Sequence, residues 1–156
     1  MKAFGLTGNI GCGKSTVAAL LEKHRDIYVV DCDQISKSII FRKKNAPKVN
    51  SILGINQKNI PSPWQVAEII FNDDNKKKEL EAFVHPLVWE EVEYEINTEG
   101  TNKICIVESA IIFETNAENK FLAIICACCS KNEQERRLAE NRKMSANDIR
   151  DRISSQ

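Results

Sequence analysis

The twelve residues GLTGNIGCGKST, at positions 5–16, constrain the fold more than any other segment of the chain. Four of the six glycines in the 156-residue sequence lie here. Glycine suits tight turns and places where the main chain closely approaches a bound group, because it has no side chain. An apolar run precedes the glycines at 2–7, and an amphipathic pattern follows them at 14–23. The segment therefore predicts a glycine-rich turn that joins a buried strand to a helix.

Residues 8–15 match G-x-x-x-x-G-K-[ST], the pattern of the phosphate-binding P-loop. In such a loop, successive main-chain N–H groups converge on phosphate oxygens, and the following helix directs its positive dipole end to the same group. Lys14 can bridge the β- and γ-phosphates of ATP, and the Ser15 hydroxyl can bind Mg²⁺. The pattern predicts a nucleoside triphosphate site with Lys14 as a catalytic residue and Ser15 as a metal ligand. The cofactor-binding candidates in the loop are Gly8, Asn9, Ile10, Gly11, Cys12, Gly13, Lys14, Ser15 and Thr16.

A second apolar run, 27–30, is followed by Asp31 and Asp33. Strand, glycine loop, helix and strand in this order are typical of a βαβ unit, and therefore of a parallel sheet. Further strands are predicted at 103–107 and 122–128. We expect an α/β fold of the P-loop NTPase type, with a three-layer αβα arrangement around the parallel sheet.

Residues 36–100 carry helical signals only. Ser62 followed by Pro63 predicts a helix start, and Pro86 is expected to begin a separate helix. The basic segment 41–50 is expected to be a solvated connection. The predicted organisation is a nucleotide-binding core of residues 1–35 and 101–156, with an arginine-bearing lid at 130–145 and a helical acceptor-binding insertion at 36–100.

Composition limits the possible partners. The 22 basic and 22 acidic side chains balance, so no net field attracts nucleic acid or anionic membrane. The longest apolar run, 121–129, is too short to span a bilayer. We expect the six cysteines to be buried, reduced thiols, which indicates the cytoplasm. The D-x-x-G and N-K-x-D elements of GTPases do not occur in the sequence, so a small-molecule kinase is favoured.

Six segments, in family order, give the chain a resemblance to the dephospho-CoA kinase family. The resemblance implies that the γ-phosphoryl group of ATP moves to the 3′-hydroxyl of dephospho-CoA, with Mg²⁺ present. It covers nearly the whole of residues 1–156. The segments are GLTGNIGCGKSTVA, VVDCDQIS, FVHPLVW, VESAIIFE, ERRLAENRKMS and DIRDRISSQ.

Two carboxylates follow the second predicted strand, at the sheet edge where open α/β folds bind their ligands. We expect Asp33 to be the general base for the acceptor hydroxyl. Asp31 is the second candidate, or an indirect partner of Mg²⁺. Both are substrate-binding candidates, and the alternative is that both only cap the next helix.

The resemblance also implies roles in the lid. Arg137 and Arg142 would stabilise the transferring phosphoryl group, Arg137 as a catalytic and Arg142 as a cofactor-binding residue. Arg142 lies one position later than the family spacing. The alternative is that these are exposed helix arginines paired with Glu133 or Glu140, and the role of Arg152 stays open.

Outside the lid, His85 resembles an acceptor-binding position, although a histidine at a helix start is also a common cap. Glu108, at the end of the third strand, is a candidate for holding metal-bound water. Trp64 and Trp89 are expected to form core of the insertion.

Two alternatives remain open. Another small-acceptor P-loop kinase, such as a nucleotide kinase, would share the loop. The chain also ends before a strand and helix that family members carry, so we expect a C-terminally incomplete form. A nucleotide-binding module without turnover is therefore the second alternative.

Overall fold

The computed structural model describes residues 2–142 together with Ile149 and Ile153. The chain divides into two compact units, which we call the sheet unit (Met1–Asp31 and Glu95–Gln156) and the helical unit (Cys32–Tyr94). In chain order, the strands and α-helices are β1 (Ala3–Thr7), α1 (Lys14–Leu21), β2 (Ile27–Asp31), α2 (Cys32–Ile40), α3 (Ala46–Leu53), α4 (Pro63–Asn72), α5 (Asp74–Thr98), β3 (Ile104–Glu108), β4 (Ile124–Cys126) and α6 (Lys131–Arg142).

The sheet unit is built on four parallel strands in the order β2-β3-β1-β4, as far as the described residues show. This confirms the predicted α/β fold with a parallel sheet. The central strands are apolar, and Leu6 and Ile106 pack with Ala18 of α1 in a buried cluster. Central strands of a parallel sheet are covered on both faces, which explains their nearly continuous apolar sequence. The parallel direction brings the ends of β1, β2 and β3 to one edge, where the P-loop follows β1.

The helical unit contains α2, α3, α4 and most of α5. α4 begins where the sequence predicts, because Ser62 and Gln65 form a reciprocal capping box. α3 was not expected: Ala46 and Val49 are buried, so the prediction of a solvated connection over 41–50 is wrong in its second half. The lysines on either side of these small apolar residues obscured the helical spacing.

The expected break at Pro86 is also wrong, since α5 runs through it as one helix of 25 residues. A proline inside a helix removes one hydrogen bond and costs about 3 kcal/mol or more. Pro86 lies on the exposed side of α5. On the opposite side, residues spaced by four are buried to at least 97%, which stabilises the continuous helix: Leu80, Val84, Val88 and Val92.

Two further expectations about burial are wrong in part, those for the tryptophans and for the six cysteines. Trp64 is 70% exposed, because α4 turns Val66 rather than the tryptophan inward, whereas Trp89 is partly buried. All six cysteines lie in the described part of the chain, and none forms a disulfide there. Cys126 and Cys128 are exposed because β4 is shorter than predicted and lies at the edge of the described sheet.

Candidate active site

The P-loop follows β1 and turns by means of glycines in the left-handed region. Gly11 has φ 78° and Gly13 has φ 92°, and Gly13 is the N-cap of α1. Side chains are strained at such angles, and a Cβ atom at Gly11 would also lie 3.2 Å from both Gln134 Cγ and Leu138 Cγ. Glycine is therefore required at these positions by backbone angle and by close packing.

The main-chain donors of the loop are arranged for an anion. The Cys12 N–H donates to the Asn9 carbonyl, which tightens the turn. Among the described residues, the N–H groups of Gly11, Gly13, Lys14 and Ser15 donate to no main-chain acceptor. The first N–H groups of a helix lack partners within the helix, and they coincide here with the positive end of its dipole. The loop is therefore available to phosphate oxygens.

Lys14 and Ser15 converge on one carboxylate oxygen at the end of β3. Lys14 Nζ and Ser15 Oγ each donate to Glu108 Oε1 at 2.7 Å. The side chains of Lys14 and Glu108 are only 12% and 7% exposed, so water screens this ion pair weakly. The pair holds the ammonium group at the sheet edge beside the loop.

The oxygen atoms at this edge suit a magnesium ion. Asp31 lies beside Glu108 in the β2–β3 register, and Ser15 donates to Glu108. Mg²⁺ prefers oxygen ligands and is usually held by one or two carboxylates together with substrate phosphates and water. Two carboxylates and a hydroxyl therefore fit the ion when phosphates complete its coordination.

Helix α6 packs against the P-loop and forms a hydrogen bond with it. The buried Gln134 donates from Nε2 to the Ile10 carbonyl at 2.6 Å. Since a carbonyl directed at a phosphate would repel it, this bond turns one loop carbonyl towards α6 instead. Sequence reasoning missed Gln134; its only signal was its position one turn into a predicted helix rich in arginine.

Arg137 lies one turn after Gln134, and its side chain is 37% exposed. Its Nη1 would be 3.1 Å from a Cβ atom placed on Gly13, so the guanidinium group is beside the P-loop. Its Nε donates to Glu133 Oε1 at 2.7 Å. Arg137 is thus near the loop and is also ion-paired with Glu133. The side chain of Arg142, and Arg152 as a whole, lie outside the described residues.

The remaining predicted residues belong to the helical unit. Asp33 lies in the first turn of α2 and is exposed. His85 lies within α5, not at a helix start, and lines a cavity of about 190 Å³ with Ser36, Lys77 and Glu81. A second cavity of about 290 Å³ is lined by Arg42, Glu91 and Tyr94, among others. Within the described chain, no helix combines the length and apolar character needed to cross a membrane.

Comparisons with known proteins agree with these features. A family model described as dephospho-CoA kinase matches residues 2–156. A protein of Bdellovibrio bacteriovorus named dephospho-CoA kinase is 32% identical, over 100% of this chain and 80% of that protein. The dephospho-CoA kinase structure from Campylobacter jejuni is 28% identical with a TM-score of 0.68, covering 100% of this chain and 81% of that one. A crystal structure from Thermus thermophilus reaches a TM-score of 0.83 at 26% identity, with coverage of 99% and 79%.

Proposed function

The chain belongs to the dephospho-CoA kinase family, whose members are ATP-dependent kinases. From this premise, we propose that it binds ATP at the P-loop of the sheet unit and dephospho-CoA in the helical insertion predicted at 36–100. The γ-phosphoryl group then moves to the 3′-hydroxyl of dephospho-CoA. The observation that carries the proposal is the Lys14–Glu108–Ser15 cluster beside a loop with available N–H groups.

Lys14 exchanges partners when ATP binds. Its ammonium group leaves Glu108 for the β- and γ-phosphates, which carry more negative charge than a single carboxylate. The N–H groups of Gly11, Gly13 and Ser15 bind the same phosphates. These preformed donors need little reorganisation and stabilise the charge of the transferring group.

Ser15, Glu108 and Asp31 would hold Mg²⁺ together with the nucleotide. When bound, the ion neutralises negative charge on the phosphate oxygens. Glu108 would act through a water molecule bound to the metal. The same carboxylate also holds the Lys14 ammonium group at the sheet edge.

The acceptor hydroxyl requires a base, and we assign this role to Asp33. Its exposed position in the first turn of α2 leaves the carboxylate accessible to a substrate. Asp31, at the end of β2, is the second candidate. A base in this position would accept the proton of the 3′-hydroxyl as that oxygen attacks the γ-phosphorus.

Arg137 is assigned to the transferring phosphoryl group because its guanidinium lies beside Gly13. Binding requires that it release or share Glu133, which now accepts its Nε–H. Arg142 is a second candidate on the same helix. Such guanidinium clamps act on charge that develops during transfer.

Part of dephospho-CoA is assigned to the cavity lined by His85. Lys77 offers a positive charge to the acceptor phosphates, and Ser36 and His85 offer hydrogen-bonding groups. Ile40, Ile70 and Val84 give this cavity an apolar side, which suits the uncharged part of the acceptor.

We place the reaction in the cytoplasm, because a reducing compartment keeps the exposed Cys126 and Cys128 as thiols.

A transfer assay tests the proposal. The chain is incubated with Mg²⁺ and ATP labelled on the γ-phosphate, and with dephospho-CoA, AMP or CMP as acceptor. We expect label on dephospho-CoA and none on its analogue that lacks the 3′-hydroxyl. Label on a nucleoside monophosphate alone would support the nucleotide-kinase alternative. ATP binding without any transfer would support the binding module.

A further inference from the structure

Two thiols meet where the P-loop contacts the segment between β4 and α6. Cys12 Sγ and Cys129 Sγ are 3.5 Å apart, although 117 positions separate the two residues in sequence. Cys129 Sγ also lies 3.9 Å from the carbonyl oxygen of Gly11. Both cysteines are partly exposed, so a reagent in solution can reach the pair. The kinase reaction described above uses neither thiol.

We propose that Cys12 and Cys129 are a disulfide-forming modification site, through which low-molecular-weight disulfides reversibly switch off nucleotide binding at the P-loop. The proposal rests on the assigned function of that loop. Disulfides in reducing compartments are typically transient and regulatory, which is the behaviour inferred here.

Local geometry allows the bond to form. A disulfide has an S–S distance of about 2.05 Å, so the two sulfur atoms must approach by about 1.5 Å. Cys12 lies between Gly11 and Gly13, both in the left-handed region that glycine adopts without strain. The loop can therefore shift more easily than the regular elements on either side of it.

The chemistry proceeds by thiol–disulfide exchange. The Cys12 thiolate attacks one sulfur of glutathione disulfide, so that a mixed disulfide forms and one glutathione thiolate leaves. The Cys129 thiolate then attacks Cys12 Sγ and displaces the second glutathione. Two protein thiols lose two electrons and two protons, and one glutathione disulfide is reduced to two thiols. Partial burial, and then the hydrogen bond with Cys12, raise the pKa of Cys129, which lowers the fraction of its thiolate and slows the second step.

The new bond would act on the phosphate cradle directly. It would pull Cys12 towards Cys129 and so displace the flanking N–H groups of Gly11 and Gly13. These groups must converge on one phosphate, and convergence depends on the loop angles that the structure shows. ATP affinity should therefore fall without unfolding of the sheet.

The neighbouring pair Cys126 and Cys128 provides a control. Its Sγ atoms are 3.4 Å apart, at the exposed end of β4. Oxidation there would join residues two positions apart and would leave Cys12 unmodified. The double variant Cys126→Ser, Cys128→Ser removes this competing pair and should respond to oxidation as the unmodified chain does.

The experiment combines peptide mass with nucleotide binding. The chain is treated with glutathione disulfide, digested without reduction, and searched for a Cys12–Cys129 cross-linked peptide. In parallel, calorimetry measures MgATP binding before oxidation, after it, and after dithiothreitol. Binding is chosen because dephospho-CoA is itself a thiol and would reduce the oxidised protein. We expect the cross-link, at least tenfold weaker binding, and full recovery. Cys129→Ser should bind ATP as the reduced chain does before oxidation, and after oxidation it should carry glutathione on Cys12 and give no cross-linked peptide.

Three results would overturn the proposal: a Cys126–Cys128 cross-link alone, glutathione retained on Cys12 without the cross-link, or the cross-link with unchanged ATP affinity. Mass spectrometry of the peptides detects the cross-link whether or not the protein is a kinase. A reduced chain that bound no ATP would therefore count against the proposed function, while the peptide would still decide whether the pair forms.

Discussion

The P-loop offers ATP main-chain groups from consecutive residues, whereas the cavity assigned to the acceptor is formed by side chains from three helices. Ser36 lies on α2, Ile70 on α4 and His85 on α5. In the loop, position 13 is limited to glycine by φ, and position 14 supplies the one ammonium group of the cluster with Glu108. A main-chain site is thus recognisable in a short sequence segment, but a side-chain site is recognisable only after folding.

The largest effect should come from the helical unit. Asp33→Asn should lower kcat by about 10²–10⁴-fold, because it removes the proposed base, and should leave ATP binding nearly intact. Steady-state kinetics with dephospho-CoA and calorimetry with MgATP measure the two quantities. Asp31→Asn is the matched control and should lower kcat less. An unchanged rate in Asp33→Asn with a large loss in Asp31→Asn would transfer the role to Asp31.

Lys14→Ala tests the side-chain part of the P-loop and should lower kcat by about 10²–10³-fold, as loss of one transition-state donor does elsewhere. It also leaves Glu108 buried without its ion-pair partner, which is destabilising. The melting temperature of each variant should therefore be measured together with its kcat. The double variant Lys14→Ala, Glu108→Gln should regain stability but not turnover. Recovery of turnover would show that Lys14 matters for folding rather than for phosphate.

The fold and the P-loop could be predicted from the sequence because their signals are local. The glycines at positions 11 and 13 indicate residues with positive φ angles, and the apolar runs indicate buried strands. The Pro86 prediction failed because buried residues four positions apart outweigh one missing hydrogen bond. Gln134 could not be predicted, since its function depends on the Ile10 carbonyl, which is 124 positions away in sequence. Tertiary packing decides such cases.

Gln134 links the two kinds of site, because its side chain binds a main-chain carbonyl of the P-loop, that of Ile10. Gln134→Leu removes this donor from the half-buried Ile10 carbonyl, and the loss of one hydrogen bond costs about 0.5–1.5 kcal/mol. If this cost falls mainly on the geometry of the loop, KM for ATP should rise by up to about tenfold, with a smaller change in kcat. A purely structural role would lower the melting temperature without moving KM for ATP. Gln134→Asn, which keeps an amide on a shorter side chain, should restore part of the affinity.

His85 tests the acceptor cavity from within the helical unit. His85→Ala should raise KM for dephospho-CoA about fivefold, equivalent to one hydrogen bond of about 1 kcal/mol, and leave KM for ATP unchanged. Arg42→Ala is the matched control, because Arg42 lines the other cavity and pairs with Glu91. If Arg42→Ala moved KM for dephospho-CoA and His85→Ala did not, the acceptor would belong to the larger cavity.

The smallest effect should be the pH dependence of the stability that the charged side chains of α6 contribute. The main-chain donors of the P-loop do not titrate and should give no such dependence. Hydrogen bonds from Arg136 and then Arg137 lower the pKa of Glu133 from 4.5 to about 2. A carboxyl whose pKa is lower in the folded chain stabilises folding above pH 4.5, and this contribution is lost as pH falls towards 2. Glu133→Gln should therefore melt slightly below the unmodified chain at pH 6, and the difference should narrow only below pH 4.5. Because these side chains are partly exposed, 0.5 M salt should also reduce the difference. A difference that stayed constant from pH 6 to pH 3 would mean that the ion pairs do not stabilise α6, and that Arg137 is placed beside Gly13 by packing of the helix alone.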